Sequence, residues 1–467
     1  MDFKFDVCGF EHTHLHTTIG SLLDGYGKPE EYAQRAKKNN QQFLCVSDHG
    51  SMAAIPQQIK AANEYGLNFI AACELYVNDH QPSFKHAEDY KHFVENCSPD
   101  DKLKLKKSYH ILAIAFSNKG YSNLVKLSTL AWSSGVGGLP RRPRLTHKQL
   151  QECKEGIIFT SCCCLSEIAV AFDTGGEEAG EQMILKYLKM FGENFYLELM
   201  LLDFKKQKPY DAFLIKMHAK HHIPLTISND VHYCEKEDSK YQTYMLLTRG
   251  KKKISDLEQS NSVDPDGEHF ELYDKNLYMK SEIELDEKWL SDYRDAIPYE
   301  LYCNAKRNTV KICEKAKGVV LDRSIKLPKI PDADAKLKEA VMRGFKWRGL
   351  PTNERYISQL RKEYDLIVHK DFSSYFLINK MMTDEARRIC PEIIGWGTGE
   401  EALGPGRGSA VSFLTCYCLG ITDVNPVYHN LIPERFLSEA RGGKQMKLPF
   451  SKEPTEKGLV LRGSKYL

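Results

Sequence analysis

His12-Thr-His-Leu-His-Thr-Thr-Ile-Gly-Ser-Leu-Leu-Asp-Gly25 sets three histidines and a carboxylate directly after an apolar run, Phe5–Phe10. Residues two apart on an extended segment share a face, so His14 and His16 project together. Outward from this stretch the layout repeats. Short apolar, β-branched-rich runs at Phe43–Ser47, Asn68–Ala72, His110–Phe116, Gly156–Ser161, Phe195–Met200 and Pro224–Ser228 alternate with helical patterns at Pro29–Asn39, Met52–Tyr65, Asn118–Leu130, Glu177–Phe191 and Asp203–His221. With Phe5–Phe10 this predicts seven strands of a parallel α/β sheet or βα barrel. Pro29 suits a first helical turn and Gly66 a helix stop. Between the third and fourth runs, Asn78–Lys107 is polar and reads as a surface excursion.

Residues of metal-ligand type fall at or just past the C-terminal end of nearly every run. They are His12, His14 and His16, then Asp48 and His49, Glu74, Cys163, and Asp230 with His232; His110 instead opens its run. In a βα barrel the loops at those ends converge on one face, so residues far apart in sequence line one pocket. Any one of them alone is more often a turn former or a satisfied hydrogen-bonding group. Their recurrence through one repeating layout points to a shared metal centre. Asp230-x-His232 repeats the spacing of His14-x-His16, and Asp24, on a glycine-flanked loop, can reach back to the histidines.

The 467 residues are 42% hydrophobic, 27% charged and 10% aromatic. This is the balance of a globular chain with room for two or three domains, and it excludes fibrous or wholly disordered classes. Lys plus Arg number 65 against 63 Asp plus Glu, a formal charge of +2. A polyanionic partner would therefore need a local basic surface or metals that invert the local field. No apolar run approaches the roughly 18 residues of a spanning helix, and the N-terminus lacks an apolar signal core; a cytoplasmic protein without a membrane partner is expected. Fourteen cysteines form no CxxC pair, and the run Cys162–Cys164 reads as reduced thiols.

The quoted stretch, with Val46-Ser-Asp-His-Gly50, Ala72-Cys-Glu74 and Asn229-Asp-Val-His232, resembles the polymerase and histidinol phosphatase (PHP) domain of bacterial C-family replicative polymerases, the DNA polymerase III alpha family. Gly404-Pro-Gly-Arg-Gly-Ser409, Cys418-Leu-Gly-Ile-Thr-Asp423 and Pro433-Glu-Arg-Phe-Leu437 resemble the start of that family's palm. The resemblance implies a distorted seven-stranded βα barrel with a trinuclear site, then a mostly helical α+β region that begins a palm. Carried across residue by residue, its metal ligands are His14, His16, Asp24, His49, Glu74, His110, Cys163, Asp230 and His232. Thr160-Ser-Cys-Cys163 aligns on the family's cysteine element, with Cys164 as the alternative. A mixed set of imidazole, carboxylate and thiolate suits three divalent ions, zinc with manganese or iron. The expected chemistry is phosphoester hydrolysis, narrowed by the family to 3′–5′ exonuclease action.

The resemblance divides the chain into a barrel over 1–235, a connecting region over 236–330, the start of a palm over 331–443 and a basic tail over 444–467. Lys251–Lys253 and Asn261–Gly267 suit a loop between domains. Tyr356, Leu360, Tyr364 and Ile367 recur at helical spacing and read as core packing. In the palm, Arg407, Gly408, Ser409 and Arg435 would contact the triphosphate of an incoming nucleotide, helped by a helix beginning near Ala410. Trp396–Glu400, just before this loop, departs from the family's spacing. The family's palm aspartates, which hold magnesium for polymerisation, are absent. From Arg441 the chain carries seven Lys or Arg, two Glu and no Asp, and does not resemble the family. The expectation is the N-terminal part of a replicative polymerase subunit whose frame leaves the gene near Gly443 and which polymerises only when a second chain supplies the aspartates. Its partners would be primer–template DNA, deoxynucleoside triphosphates and replisome subunits. The alternatives are a stand-alone PHP phosphoesterase or exonuclease and a non-catalytic docking scaffold for a proofreading subunit.

Overall fold

The computed structural model describes residues 5–80, 87–133, 143–251, 276–321, 326–395 and 403–439. Lys252, Lys253, residues 261–267 and 396–400, and the tail from 444 lie outside them. The chain divides into two compact units, Met1–Leu321 and Asp322–Leu467.

Among the described residues of the first unit, seven strands make one mixed sheet: β1 (Phe43–Val46), β2 (Asn68–Val77), β3 (Tyr109–Ala115), β4 (Arg144–Leu145), β5 (Ile157–Thr160), β6 (Phe195–Met200) and β7 (Leu225–Ser228). The order is β1-β2-β3-β5-β6-β7, with β4 paired to β2. Helices α1 (Pro29–Lys38), α2 (Ile55–Tyr65), α5 (Asn118–Ser133), α7 (Glu167–Phe191) and α8 (Gln207–His221) alternate with them, as the sequence predicts. The surface excursion holds α3 (Ala87–Asn96) and α4 (Pro99–Lys106), and α6 (His147–Glu152) follows β4.

The count of seven is met with a different membership. Phe5–Phe10 forms no strand, and the two-residue β4 takes its place. The physical reason is that backbone groups here are satisfied by side chains. Asp6 N donates to Tyr299 Oη, Cys8 N to Glu282 Oε1 and Glu11 N to Thr309 Oγ1, and Gly9 adopts a left-handed φ of 74°. The pairing comes later, where His16 N donates to Val231 O and Ser47 N to Leu15 O, both at 2.8 Å. The extended segment around Leu15 thus bridges the end of β1 to the residues after β7.

Nor is the sheet all parallel. β3 runs antiparallel to both β2 and β5. That reversal explains His110, which opens its strand: Tyr76 pairs with His110, so the start of β3 lies at the rim where β2 ends. Residues 276–321, inside the expected connecting region, belong to the first unit. The helix Tyr299–Ala316 packs on β7, where Asn308 Nδ2 donates to Leu225 O at 2.7 Å.

The second unit buries Leu337, Val341, Phe345, Tyr356, Leu360, Ile367, Phe376, Phe413 and Leu414 in one core. Tyr356, Leu360 and Ile367 lie on the helix Glu354–His369 with Tyr364 packed at the edge, so the stripe is core packing. The helix expected near Ala410 is instead a 3-10 turn, Gly408–Ser412, followed by the five-residue helix Leu414–Cys418. Phe413 is extended between them. The first amides of the short helix are already taken: the buried Glu363 carboxylate accepts from Leu414 N at 2.9 Å and from Thr415 N at 2.7 Å. They are not offered to a phosphate.

Two outcomes follow from this packing. A Cβ at Gly120 would lie 1.8 Å from Gly156 O, a backbone atom. Gly120→Ala is therefore expected to cost on the order of 1–3 kcal/mol, read as a lowered thermal midpoint by circular dichroism. Burial pushes the Glu363 carboxyl up to about 7 despite its donors, from an ordinary 4.5. A raised folded pKa means that this group's stabilising contribution is complete below pH 4.5 and is lost as pH rises through 7. Glu363→Gln should remove that slope, so the wild-type midpoint should fall relative to the variant's as pH rises from 4.5 to 7.5. A difference that stays constant with pH refutes the assignment.

Candidate metal centre

The nine residues assembled from the sequence meet at one rim of the sheet. His14 and His16 project from the extended segment between Ser47 and Val231, Glu74 from β2, His110 from the start of β3, Cys163 from the turn after β5, and Asp230 and His232 from the turn after β7. Three groups have ligand atoms within 4.8 Å of one another: Glu74, His110, Cys162 and Cys163; His16, His49 and His232; and His14, His16 and Asp230. Asp24 approaches the second group, 3.5 Å from His49 Nε2 and 3.7 Å from His232 Nε2. Cys162 adopts a left-handed φ of 59° and Asp230 one of 44°. Such strain in non-glycine residues persists only where surrounding contacts enforce it. At the second site Asn229 Nδ2 supplies them, donating to the carbonyls of Asn276 and Tyr278.

Glu74 joins the groups. It is buried, with Oε2 at 2.7 Å from His49 Nδ1, 3.3 Å from His16 Nε2 and 3.5 Å from His14 Nε2, and its other oxygen against His110 Nδ1. Asp230 Oδ1 lies 3.1 Å from His16 Nε2 and 3.4 Å from His14 Nε2. The His16 ring stacks on His49 with centroids 4.0 Å apart and tilts against His232 at 4.4 Å. Burial, then the neighbouring His49 and His232, holds the His16 imidazole down to about 3, a neutral ring with a lone pair to offer. Burial opposes ionisation of Glu74, but the charges of His110 and His49 outweigh it and hold this carboxyl well below its usual range. A hydrogen bond from the Cys162 thiol, then His110, brings the Cys163 thiol down to about 6 against the effect of burial. Burial would lower His14, His49 and His110 as well, yet neighbouring anionic groups push all three well above the ordinary imidazole value.

This donor set fits divalent metal ions. Three carboxylates and a thiolate are withdrawn from water, a cost that is met only by nearby cations. Without metal, that role falls to histidines forced into the charged form. His14 Nε2, His49 Nδ1 and Glu74 Oε2 are buried, crowd one another and make no hydrogen bond among the described residues. Lone pairs converging in this way are what a metal site supplies.

Not every candidate joins. His12 Nε2 is taken by Lys280 O at 2.8 Å, with its ring against Phe10. Asp48 accepts from Thr17 N at 2.6 Å, and from Thr17 Oγ1 and Ser21 Oγ at 2.8 Å each. It therefore braces the loop leading to Asp24. Cys164 is in none of the three groups. In the second unit, Arg407, Gly408 and Ser409 are exposed, and their 3-10 turn packs against the turn Pro433–Arg435.

Three neighbours escaped the sequence reading. Glu198, wholly buried on β6, accepts from His14 Nδ1 at 2.9 Å and from the Thr160 and Ser228 hydroxyls. It fixes the His14 tautomer so that Nε2 faces the centre, the arrangement that raises ligand basicity. Its signal was a single Glu in the apolar run Phe195–Met200. Tyr76 stacks on His49 and meets His110 edge-on, with centroids 5.0 Å apart. Arg249, at the end of the helix α9 (Ser239–Gly250), places Nη1 2.5 Å from Asp24 Oδ2. Glu198→Gln is expected to weaken metal binding roughly 10- to 100-fold while leaving the fold intact. Titration of the stripped protein with zinc, beside its circular dichroism spectrum, measures both; unchanged affinity would show that Glu198 does not orient His14.

Comparison with known proteins agrees with this geometry. Residues 12–201 match the family model described as PHP domain, and residues 335–445 match that described as bacterial DNA polymerase III alpha NTPase domain. The DNA polymerase III subunit alpha of Treponema pallidum is 30% identical over 441 residues, covering 92% of this chain and 33% of the relative. That of Aquifex aeolicus is 27% identical over 471 residues, covering 98% and 37%. That of Bacillus subtilis is 28% identical over 438 residues, covering 92% and 34%. The chain spans about a third of the length of these relatives. Two family matches in chain order, within relatives aligned over nearly all of its residues, show a PHP domain followed by bacterial DNA polymerase III alpha NTPase-domain sequence, the order found in about a third of the length of the DNA polymerase III alpha subunits that this chain resembles.

Proposed function

We propose that the barrel is a metal-dependent phosphodiesterase that trims DNA from the 3′ end, within the N-terminal part of a replicative DNA polymerase alpha subunit. The carrying observation is the buried convergence of carboxylates, imidazoles and a thiolate, in which His14 Nε2, His49 Nδ1 and Glu74 Oε2 make no hydrogen bond among the described residues. His14, His16, Asp24, His49, Glu74, His110, Cys163, Asp230 and His232 would hold three divalent ions, zinc with manganese or iron. Bound there, such ions would supply an activated water and neutralise charge on the phosphodiester.

The chain's own residues do the rest. Glu198 holds His14 in one tautomer. Ser21 Oγ, 3.2 Å from His16 Nδ1, is itself oriented by Asp48. Tyr76, partly exposed against His49 and His110, screens that side of the centre from water. Primer–template DNA, deoxynucleoside triphosphates and replisome subunits are the proposed partners. In the second unit, Arg407, Gly408, Ser409 and Arg435 are proposed to contact nucleotide phosphates through side chains and loop amides. The polymerising step needs magnesium-binding palm carboxylates beyond residues 1–443. Among the described residues no helix is long and apolar enough to cross a membrane, and a cytoplasmic location is proposed.

The test strips the protein with chelator, reloads it with zinc or manganese, and follows shortening of a 5′-labelled single-stranded oligonucleotide. Wild type should trim only when reloaded. His14→Ala and Asp230→Ala should lose metal by elemental analysis and at least about 100-fold in trimming rate. Full trimming by a variant that has lost its metal would sink the hydrolytic reading.

A further inference from the structure

Beside the metal ligands, the loop carrying Asp24 is tied to α9 at two points. Arg249 Nη1 meets Asp24 Oδ2 at 2.5 Å, and the Tyr26 ring stacks on Tyr241 with centroids 4.9 Å apart and planes at 28°. The loop partners are two positions apart and the helix partners eight, so α9 lies along this lip of the centre for about 12 Å of its length. Its sequence, Ser239-Lys-Tyr-Gln-Thr-Tyr-Met-Leu-Leu-Thr-Arg-Gly250, contains two cations and no acid.

The outward face of α9 is unusual for a helix on a globular surface. Tyr241 and Tyr244 are 39% and 46% exposed, and with the exposed Thr248 they recur at i, i+3 and i+7, one stripe. Lys240 Nζ sits 4.9 Å from the centroid of the Tyr241 ring. Arg249, whose side chain is 49% exposed, stands between that stripe and Asp24. Its guanidinium has five donors, and the Asp24 carboxylate engages it through Nη1. Core packing accounts for none of this, because the buried residues of α9 are Gln242 and Leu247. On the loop side, Leu22 and Leu23 are also exposed immediately before Asp24.

We propose that this lip is the strand-binding subsite of the metal centre: Arg249 grips a backbone phosphate next to the bond at the metals, while Tyr244 and the Tyr241–Tyr26 stack carry unpaired bases of the same strand. The assignment rests on reading the barrel as a hydrolase of DNA ends. A guanidinium with aromatic rings leading away from it matches the alternation of phosphate and base in single-stranded DNA. A duplex keeps its bases stacked on one another and has no use for the tyrosines. Arg249 also has a second partner when no strand is present, since Asp24 is within reach. Strand binding would then relieve the carboxylate of its guanidinium.

Binding is measured apart from cleavage, by fluorescence anisotropy of a labelled phosphorothioate thymidine 12-mer on the full chain loaded with manganese. The metal content of every variant is determined alongside. Tyr244→Ala, which touches no metal ligand, should weaken binding roughly tenfold without changing its salt dependence. Arg249→Ala should weaken binding and make the plot of log affinity against log salt shallower by about 0.7, one phosphate contact on a single strand. Arg249→Lys should restore the slope. A blunt duplex of equal length should bind more weakly than the single strand. Wild-type affinity and slope in both alanine variants, or tighter binding of the duplex, overturns the subsite. Strand binding that depends on Arg249 and Tyr244 in a chain that trims nothing supports the subsite and counts against the hydrolytic reading alone.

Discussion

Glu74 is a carboxylate with no access to water, and the first unit is arranged around what that demands. An ionised acid in the interior is tolerated only with cations at hand. Here four histidines approach its two oxygens, His49 and His110 most closely. Two of them come from the segment around Leu15, one from the turn after β1 and one from the start of β3. The carboxylate can therefore be buried only if the segment around Leu15, β1, β2 and β3 all reach their places. Asp230 imposes the same demand from the opposite side, through His14 and His16. Between them the two acids fix where the imidazoles point.

Strand direction is the other half of the arrangement. In an all-parallel barrel His110, at the start of its strand, would lie at the opposite rim from Glu74. Reversing β3 brings the two into contact, with Tyr76 opposite His110 in the register. The reversal also lengthens β2 past Ala72 to Val77, because an antiparallel neighbour continues to pair with it there. What looked like an irregular position for one ligand is the ordinary outcome of a mixed sheet.

Much of this was legible. Helix and strand periods, the recurrence of ligand-type residues at strand ends and the paired spacing of His14-x-His16 and Asp230-x-His232 are local properties that survive folding. The misses share a cause. Phe5–Phe10 has the composition of a strand, but two of its amides are claimed by Tyr299 and Glu282, and that of Glu11 just after it by Thr309, all more than 270 residues away. The helix expected to begin near Ala410 starts only at Leu414, where Glu363 from another helix accepts from its first amides. Glu198 and Arg249 act through partners 184 and 225 residues distant. Side-chain to backbone and side-chain to side-chain bonds of such reach leave no periodic trace. A lone charge in an apolar run is their only sign, and Glu198 shows that it can be read.

The segment around Leu15 closes the rim by bonding on one side to Ser47 and on the other to Val231. Those partners lie 32 and 216 residues further along the chain, so the N-terminal histidines are the first ligands synthesised and the last to be enclosed. Contacts of this separation form late because loop closure must precede them. A nascent chain shorter than about 235 residues displays His14 and His16 without Asp230 or His232 to complete their site. The groups His16, His49 and His232, and His14, His16 and Asp230, are therefore complete only once the residues after β7 have docked, whereas Glu74, His110, Cys162 and Cys163 all precede residue 164.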